Sequence, residues 1–289
     1  MTWCINPQDL QLISLALAED LGPKCQDLTT DLLFAKKGMT ISTAHIISKQ
    51  PTPIVMCGAP LVAAILQQAF PHCSFQSHYA EGETLLSDTI LLSLQGPISD
   101  LLKVERCLLN FLQRLCGIAT LTAQFTACIA HTACQVLDTR KTLPGFRHLD
   151  KYAVHCGGGS NHRMGLYDAI MIKDTHIDAL GGITQALAGL PEHIPQDYPV
   201  IVEVRNEQEL EAVLAQASTK ISRVLLDNLS ITQLYCCVQR CQAYQLSTEA
   251  SGNVTRDTIA RIAETGVNFV SVGQLTHSAP SVDLSMRIL

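Results

Sequence analysis

The stretch that decides the fold is Val200-Ile201-Val202-Glu203-Val204, followed by the helix-like segment Glu207–Gln216 and then by Val224-Leu225-Leu226-Asp227. Two short apolar runs separated by a helical segment predict parallel strands joined by a right-handed crossover. The first run contains Glu203 and the second ends at Asp227. A carboxylate inside such a run is costly unless it is paired or binds a metal. The stretch therefore predicts both an α/β fold and a functional site.

The same rhythm extends over the second half of the chain. Helix-like stretches separate most of six apolar runs, which are Gln135–Leu137, Ala169–Ile172, Val200–Val202, Val224–Leu226, Leu246–Thr248 and Phe269–Val272. Six such units favour a closed or partly open barrel over a small flavodoxin-like sheet.

Polar or charged residues follow nearly every run. They are Asp138 and Arg140-Lys141, Lys173-Asp174, Glu203 and Arg205, Asp227-Asn228, Glu249 and Ser251, and Gly273. In α/β barrels the active site lies at this end of the strands, so a polar mouth is expected here. The alternative is that these charges only begin solvated loops.

The first 115 residues mix both element types. The patterns predict a helix over Asp9–Leu21, a strand over Thr40–Ser48, a helix over Ala59–Phe70 and a short strand over Thr89–Leu94. Ile98 to Ile129 predicts one or two long helices, with Gly117 as the expected break.

Composition excludes several classes of protein. The 289 residues are 47% hydrophobic and only 16% charged, which excludes intrinsic disorder. The formal charge of −6 argues against a nucleic-acid-binding role, and no apolar run reaches the roughly 18 residues that span a bilayer. Leu10–Ala18 is apolar but has no preceding basic residue, so we expect a first helix and a cytoplasmic protein. The 12 cysteines form no C-x-x-C pair and are expected to be reduced, with Cys156 inside a motif considered below.

One stretch departs from this acidic balance. Asp138–Lys173 has six Lys and Arg against three Asp, a formal charge of +3, while the rest of the chain carries −9. A cationic pocket in an anionic protein predicts a small anionic ligand, and Arg140-Lys141 and His162-Arg163 suit carboxylates or phosphates. An ordinary basic surface patch is the alternative.

Glycines in the chain fit neither the Rossmann nor the P-loop pattern. Gly157-Gly158-Gly159 lets the backbone approach a ligand or a strand closely. Ser251-Gly252-Asn253 and Val272-Gly273-Gln274 each follow an apolar run and precede a helix, as barrel phosphate sites do. Glu203 and Asp227, on neighbouring strands, could hold Mg²⁺ or face a cationic transition state.

Longer motifs resemble the quinolinate phosphoribosyltransferase family over nearly the whole chain. They are Glu105–Leu115, Asp138–Arg147, Lys151–Val154, Cys156–Gly159, Asn161–Asp168, Ile172–Asp174, Leu226–Asn228, Glu249–Gly252 and Ser271–Ser278. The resemblance implies that quinolinate and phosphoribosyl pyrophosphate give nicotinate mononucleotide, pyrophosphate and CO₂ with Mg²⁺, a step of NAD biosynthesis.

The resemblance also implies an architecture. An N-terminal α/β sandwich over residues 1–115, rejoined by the tail at about 276–289, precedes the open α/β barrel of type II phosphoribosyltransferases over 116–275. Two subunits are expected to complete each other's active sites.

Site residues follow from the same resemblance. The expected quinolinate ligands are Arg140, Lys141, His162, Arg163 and Lys173, with Arg106 from the partner subunit. Glu203 and Asp227 serve the ribose and Mg²⁺, and the phosphate ligands are Ser251, Gly252, Asn253, Ser271 and Gly273. Lys141, Lys173, Glu203 and Asp227 are the expected catalytic residues.

Two positions depart from the family pattern. Asn253 stands where glycine is common, and Arg205 stands where a second glutamate is common.

Three alternative functions remain open: a phosphoribosyltransferase for another aromatic acid such as nicotinate, a barrel lyase with a Schiff base on Lys173, and a binding protein that kept the fold.

Overall fold

The computed structural model describes residues 4–35, 40–191, 193–195, 198–216 and 220–289. The chain forms two compact units. Unit 1 comprises Met1–Ala123, Thr142–Gly158 and Leu275–Leu289, and unit 2 comprises Gln124–Lys141 and Gly159–Gln274.

The elements in chain order are α1 (Pro7–Leu21), α2 (Leu28–Phe34), β1 (Ile41–Ser48), β2 (Ile54–Val55), α3 (Ala59–Ala69), β3 (Ser74–Ser77), β4 (Thr84–Leu85), β5 (Ile90–Pro97), α4 (Ile98–Cys128), β6 (Gln135–Leu137), α5 (Arg147–Cys156), β7 (Ile170–Ile172), α6 (Asp174–Ala179), α7 (Ile183–Ala188), β8 (Val200–Val204), α8 (Glu207–Ala215), β9 (Arg223–Asp227), α9 (Ile231–Ala243), β10 (Ser247–Ser251), α10 (Arg256–Ala263), β11 (Phe269–Ser271), α11 (Gln274–His277) and β12 (Leu284–Ile288).

Unit 1 is built on a four-stranded antiparallel sheet in the order β12-β1-β5-β3. The last strand of the chain, β12, pairs with β1, so that Ile46 lies opposite Met286. Ile46, Leu92 and Leu94 on the two central strands are fully buried. The C-terminal tail therefore belongs to the same sheet as the first strand of the chain.

The long helix α4 corrects one sequence prediction. It runs without interruption from Ile98 to Cys128, so the break expected at Gly117 is wrong. A Cβ at Gly117 would lie 2.2 Å from the carbonyl oxygen of Pro280, closer than any real contact. The glycine therefore allows a close approach of backbone to the helix, and burial of its neighbours Cys116 and Ile118 offsets its low helix propensity of about 1 kcal/mol.

Unit 2 is a six-stranded sheet in the order β6-β11-β10-β9-β8-β7, and all its pairings are parallel. Each of the six predicted apolar runs forms one of these strands. Within the described residues, β6 and β7 remain the two edges of the sheet. The α/β class with parallel strands and an open, barrel-like sheet is thus confirmed.

The crossover helices of unit 2 begin at local capping signals. Asn206 accepts a hydrogen bond from the backbone N–H of Glu209 at 2.9 Å at the start of α8. Ser230 and Gln233 form a reciprocal capping box at the start of α9. Each cap satisfies N–H groups that have no partner inside the helix, so each strand passes directly into the next helix.

Two composition-based expectations can be compared with the structure. Along the part of the chain that it describes, none of the 12 cysteines is in a disulfide, and Cys57, Cys107, Cys116, Cys134, Cys237 and Cys241 are buried. Of the helices in that part, none has the length and apolar character needed to cross a membrane.

Candidate active site

Side chains alternate between the two faces along the strands of unit 2, so every second residue points to the inner face of the barrel-like sheet. The interior residues include Arg223, Leu225 and Asp227 on β9, Ser247, Glu249 and Ser251 on β10, and Phe269 and Ser271 on β11. Their last members lie at the carboxyl ends of the strands, where they line a cleft of about 560 Å³. This end of an α/β barrel is where active sites form.

Cations occupy part of the cleft. Five of the predicted dicarboxylate ligands line it, namely Arg140, Lys141, His162, Arg163 and Lys173. Arg140, His162 and Arg163 are half-buried, whereas Lys141 and Lys173 are exposed. Burial, and then the nearby Arg140 guanidinium, lower the pKa of Arg163. Such concentrated positive charge favours an anionic ligand.

Asp138 accepts hydrogen bonds from the segment that carries His162 and Arg163. This fully buried carboxylate follows β6 and accepts hydrogen bonds from Asn161 Nδ2 at 2.6 Å and from the backbone N–H of His162 at 2.9 Å. The Arg163 guanidinium donates from one terminal nitrogen to the Ala169 carbonyl at 3.0 Å. Asp138, one of the strand-end charges singled out in the sequence, therefore anchors the cationic segment.

Two carboxylates, Glu203 on β8 and Asp227 at the end of β9, also line the cleft. Burial raises the pKa of Glu203, and the neighbouring negative charge of Asp227 raises it further, while Lys173 opposes both effects. The two acidic side chains are thus close enough to interact. They form an anionic region beside the cations.

A hydrogen-bonded network fixes Asp227. Its two oxygens accept from Ser251 Oγ at 2.5 Å and from Asn228 Nδ2 at 2.8 Å. Asn253 donates from Nδ2 to Asn228 Oδ1 at 3.2 Å. Gly252 has φ +98°, and a Cβ there would lie 2.1 Å from Asn228 Oδ1, so this position requires glycine. Asn253 therefore adds a bond to the network that orients Asp227.

The predicted phosphate ligands divide into two groups. Ser251, Gly252, Asn253 and Ser271 line the cleft. Gly273, two residues beyond Ser271, is half-buried and is not among the described residues that line it.

Other basic residues lie elsewhere. Arg106 is exposed on α4 in unit 1, and Arg147 and Lys151, which contribute to the charge of the basic stretch, also belong to unit 1. Arg205 forms ion pairs with Glu209 at 2.7 Å and with Asp178 at 3.0 Å, two acidic residues that are not among those lining the cleft. The basic stretch is thus shared between the two units, and four of its six Lys and Arg residues line the cleft.

Glu249 is the lining residue whose environment the sequence reading missed. The sequence predicts only a charge at a polar mouth, yet Glu249 is fully buried. The available signal was alternation, because Ser247, Glu249 and Ser251 are spaced by two along one strand and must share a face. The structure shows that Glu249 is fully buried whereas Ser251, at the end of the strand, is half-buried.

Glu203 and Asp227 suit a divalent cation. Mg²⁺ prefers oxygen ligands and keeps several waters, so one or two carboxylates at a cleft are sufficient. A cation between these carboxylates would relieve the repulsion that contributes to the raised pKa of Glu203. The donor set therefore fits the predicted metal.

Comparisons with known proteins define the family. The C-terminal domain family of quinolinate phosphoribosyl transferase matches residues 118–287, and the N-terminal domain family matches residues 27–116. A nicotinate-nucleotide pyrophosphorylase [carboxylating], chloroplastic, of Arabidopsis thaliana is 38% identical over 96% of this chain and 82% of its own length. A mitochondrial quinolinate phosphoribosyltransferase [decarboxylating] 2b of Nicotiana tabacum is 36% identical over 96% of this chain and 81% of its own length.

A solved structure agrees with these matches. The nicotinate-nucleotide pyrophosphorylase of Francisella tularensis superposes with a TM-score of 0.89 at 34% identity, covering 99% of this chain and 98% of that one. The fold is that of an α/β-barrel phosphoribosyltransferase. The chain belongs to the quinolinate phosphoribosyltransferase family.

Proposed function

We propose that this protein transfers the phosphoribosyl group of phosphoribosyl pyrophosphate to quinolinate and releases CO₂, giving nicotinate mononucleotide and pyrophosphate. The observation that carries the proposal is one cleft lined both by clustered cations and by the carboxylates Glu203 and Asp227. A dianionic acid needs the cations, and a ribosyl centre that becomes positive needs the carboxylates. This is a step in the synthesis of NAD.

The cations bind the two carboxylates of the pyridine. Arg140 and Arg163 offer planar forks that suit bidentate contacts, while Lys141 and Lys173 supply point charges from the exposed rim. His162 completes this side of the cleft, and Arg106 reaches it from the partner subunit of a homodimer. Lys141 and Lys173 thereby hold the acid with its ring nitrogen toward the ribose.

The carboxylates face the ribosyl centre. Departure of pyrophosphate leaves positive charge on the sugar, which Glu203 and Asp227 stabilise electrostatically. Mg²⁺, held by these two residues directly or through water or substrate, supplies neutralisation of the leaving pyrophosphate when bound. Ser251, Gly252, Asn253, Ser271 and Gly273 hold the phosphates.

Decarboxylation needs no separate nucleophile. Attack by the ring nitrogen on the ribosyl carbon makes the ring a pyridinium. The bond between the ring and the 2-carboxylate then breaks, its electron pair stays on the ring carbon beside the positive nitrogen, and a proton replaces the CO₂. The protein contributes orientation and electrostatics.

Family membership gives the Schiff-base lyase and the non-catalytic alternatives no support. A nicotinate-specific relative differs in substrate, and the clustered cations favour two carboxylates over one. The cytoplasmic location stays a prediction, since the plant relatives named above are chloroplastic and mitochondrial.

Quinolinate labelled in its 2-carboxylate tests the proposed function. With phosphoribosyl pyrophosphate and Mg²⁺, we expect labelled CO₂ and nicotinate mononucleotide in equal amounts. Neither should form when phosphoribosyl pyrophosphate is omitted, and chelation of the metal should stop both. Ribosyl transfer without release of CO₂, or no product from quinolinate, would contradict the proposal.

A further inference from the structure

The buried carboxylate of Glu249 is the centre of a chain of contacts inside unit 2. Glu249 is fully buried, and its Oε2 accepts a hydrogen bond from Arg223 at 2.8 Å and lies 3.4 Å from His162 Nε2. The Arg223 guanidinium in turn lies over the ring of Phe269, 3.8 Å from its centroid. Four residues thus connect the amino ends of β9 and β11 with the cationic segment.

The other nitrogen of His162 also has a defined partner. The backbone N–H of Arg163 donates to His162 Nδ1 at 2.7 Å. A ring nitrogen that accepts a hydrogen bond carries no proton, so this network assigns the proton to Nε2, the nitrogen that faces Glu249. The ring thus links Glu249 to the backbone of Arg163.

Glu249 can orient His162 because its negative charge is retained and its position is defined. Burial alone would raise its pKa, but His162 and Arg223 outweigh burial and hold the pKa of Glu249 below its ordinary value. The stacking of Arg223 on Phe269 restrains the guanidinium that pairs with the carboxylate. The negative charge therefore persists inside the sheet and has a defined position.

We infer that Glu249, held by Arg223, is a positioning residue that acts through His162 to place Arg163 in the dicarboxylate subsite. The inference rests on the proposed function for the identity of the ligand. Glu249 fixes the proton of His162 on Nε2, and Nδ1 then holds the Arg163 N–H. His162 accordingly orients Arg163 at this subsite.

The ion pair of Glu249 and Arg223 lies at a place that a purely structural role does not require. Apolar side chains of similar volume generally stabilise a core as well as a buried ion pair does. Here the pair of Glu249 and Arg223 is connected through two contacts to the backbone N–H of Arg163, a residue that lines the cleft. An effect confined to the acid-binding subsite would distinguish positioning from general support of the fold.

The first measurement uses the free protein. Nitrogen-15 NMR of the histidine rings should show His162 as the Nε2–H tautomer in the wild type. Glu249→Gln keeps the shape of the side chain but removes its charge, so we expect a different tautomer population at His162. Glu249→Asp keeps the charge and should restore much of the wild-type signal. The matched control is Glu264→Gln, which alters the surface pair of Glu264 with His131, 3.1 Å apart in the same unit.

The second measurement is kinetic. In Glu249→Gln we expect the KM for quinolinate to rise at least about tenfold, the loss expected when a charge-assisted contact fails. The KM for phosphoribosyl pyrophosphate and kcat at saturation should stay within about twofold, because that part of the cleft keeps its own contacts. Glu249→Asp should fall between Glu249→Gln and wild type, and Glu264→Gln should match wild type.

Several outcomes would overturn the inference. They are a wild-type Nδ1–H tautomer at His162, an unchanged KM for quinolinate in Glu249→Gln, and equal losses for both substrates in Glu249→Asp. A wild-type protein that makes no product from quinolinate would instead overturn the proposed function. The tautomer, read without any substrate, would still support or overturn the link between Glu249 and His162.

Discussion

Replacing Asp227 by asparagine removes one negative charge from the cleft while preserving the shape of the side chain. The new amide oxygen can still accept from Asn228 Nδ2, now 2.8 Å from Asp227 Oδ2. The amide nitrogen then faces Ser251 Oγ, which can turn to accept. Two charge-assisted hydrogen bonds become neutral ones while the repulsion between Asp227 and Glu203 is removed, so the free energy of unfolding should change by no more than about 2 kcal/mol.

The effect on turnover should be far larger. Removal of one preorganised group that stabilises transition-state charge costs roughly 2.7–4 kcal/mol, or about 10²–10³ in kcat. Glu203 on the neighbouring strand still lines the cleft as a second carboxylate, which places the expected loss toward the lower end, about a hundredfold.

The assay separates turnover from binding. We expect kcat at saturating substrates and Mg²⁺ to fall about a hundredfold, while calorimetry gives an unchanged Kd for quinolinate. Asp257→Asn, at an exposed position on α10 in the same unit, controls for net charge and should behave as wild type. Loss of quinolinate binding with the fold intact, or a kcat close to wild type, would refute the assignment of Asp227 to the ribosyl side.

Three further predictions concern assembly, stability and pH. Arg106→Ala and Lys173→Ala should each be nearly inactive. Mixing the two variants under subunit exchange should restore about a quarter of wild-type activity, because half the dimers are then mixed and each mixed dimer contains one intact site of two. Subunit exchange without recovery of activity would contradict a shared site. Arg114→Ala breaks the two-point pairing with the fully buried Asp150, at 3.0 and 2.7 Å, and should destabilise the fold by about 3–5 kcal/mol, measured as a lower Tm; an unchanged Tm would contradict this. In the folded protein the pKa of Glu249 lies below its ordinary value of 4.5, so the ionised carboxylate stabilises the fold above pH 4.5 and this stabilisation is lost as the pH falls through the folded pKa. Glu249→Gln should therefore lose less stability than wild type on acidification. Parallel curves of Tm against pH for the two proteins would contradict this prediction.

The parallel sheet could be predicted from the sequence because its strands are short, apolar and regularly spaced. Glu203 and Asp227 could be found for the same reason, since each carboxylate interrupts or ends an apolar run. Right-handed crossovers bring the carboxyl ends of such strands to one edge. Local pattern and general topology together predict that the site residues of unit 2 share one cleft, and among the described residues all of them except Gly273 line it.

Gly117 could not be read correctly from local propensity. A glycine within a helical pattern suggests a break, but its reason here is the carbonyl of Pro280, more than 160 residues later in the chain. Such a contact leaves no trace in the surrounding sequence. The partition of the basic stretch is similar, because Arg147 and Lys151 belong to a different unit from Arg163.

The burial of Glu249 could not be predicted from the sequence for a different reason. Its alternation with Ser247 and Ser251 was visible, yet its partners Arg223 and His162 come from other elements. A buried charge is tolerated only where partners exist, and the sequence does not reveal them. Depth within the sheet therefore had to come from the structure.

Substrate discrimination tests the central claim most directly. Purified protein should be assayed for nicotinate mononucleotide from quinolinate and from nicotinate, each with phosphoribosyl pyrophosphate and Mg²⁺. Nicotinate lacks one carboxylate and so one set of charge-assisted contacts, worth roughly 2–5 kcal/mol. We predict a kcat/KM for quinolinate at least about 30-fold above that for nicotinate. Comparable values for the two acids would contradict a cleft built to hold a dicarboxylate.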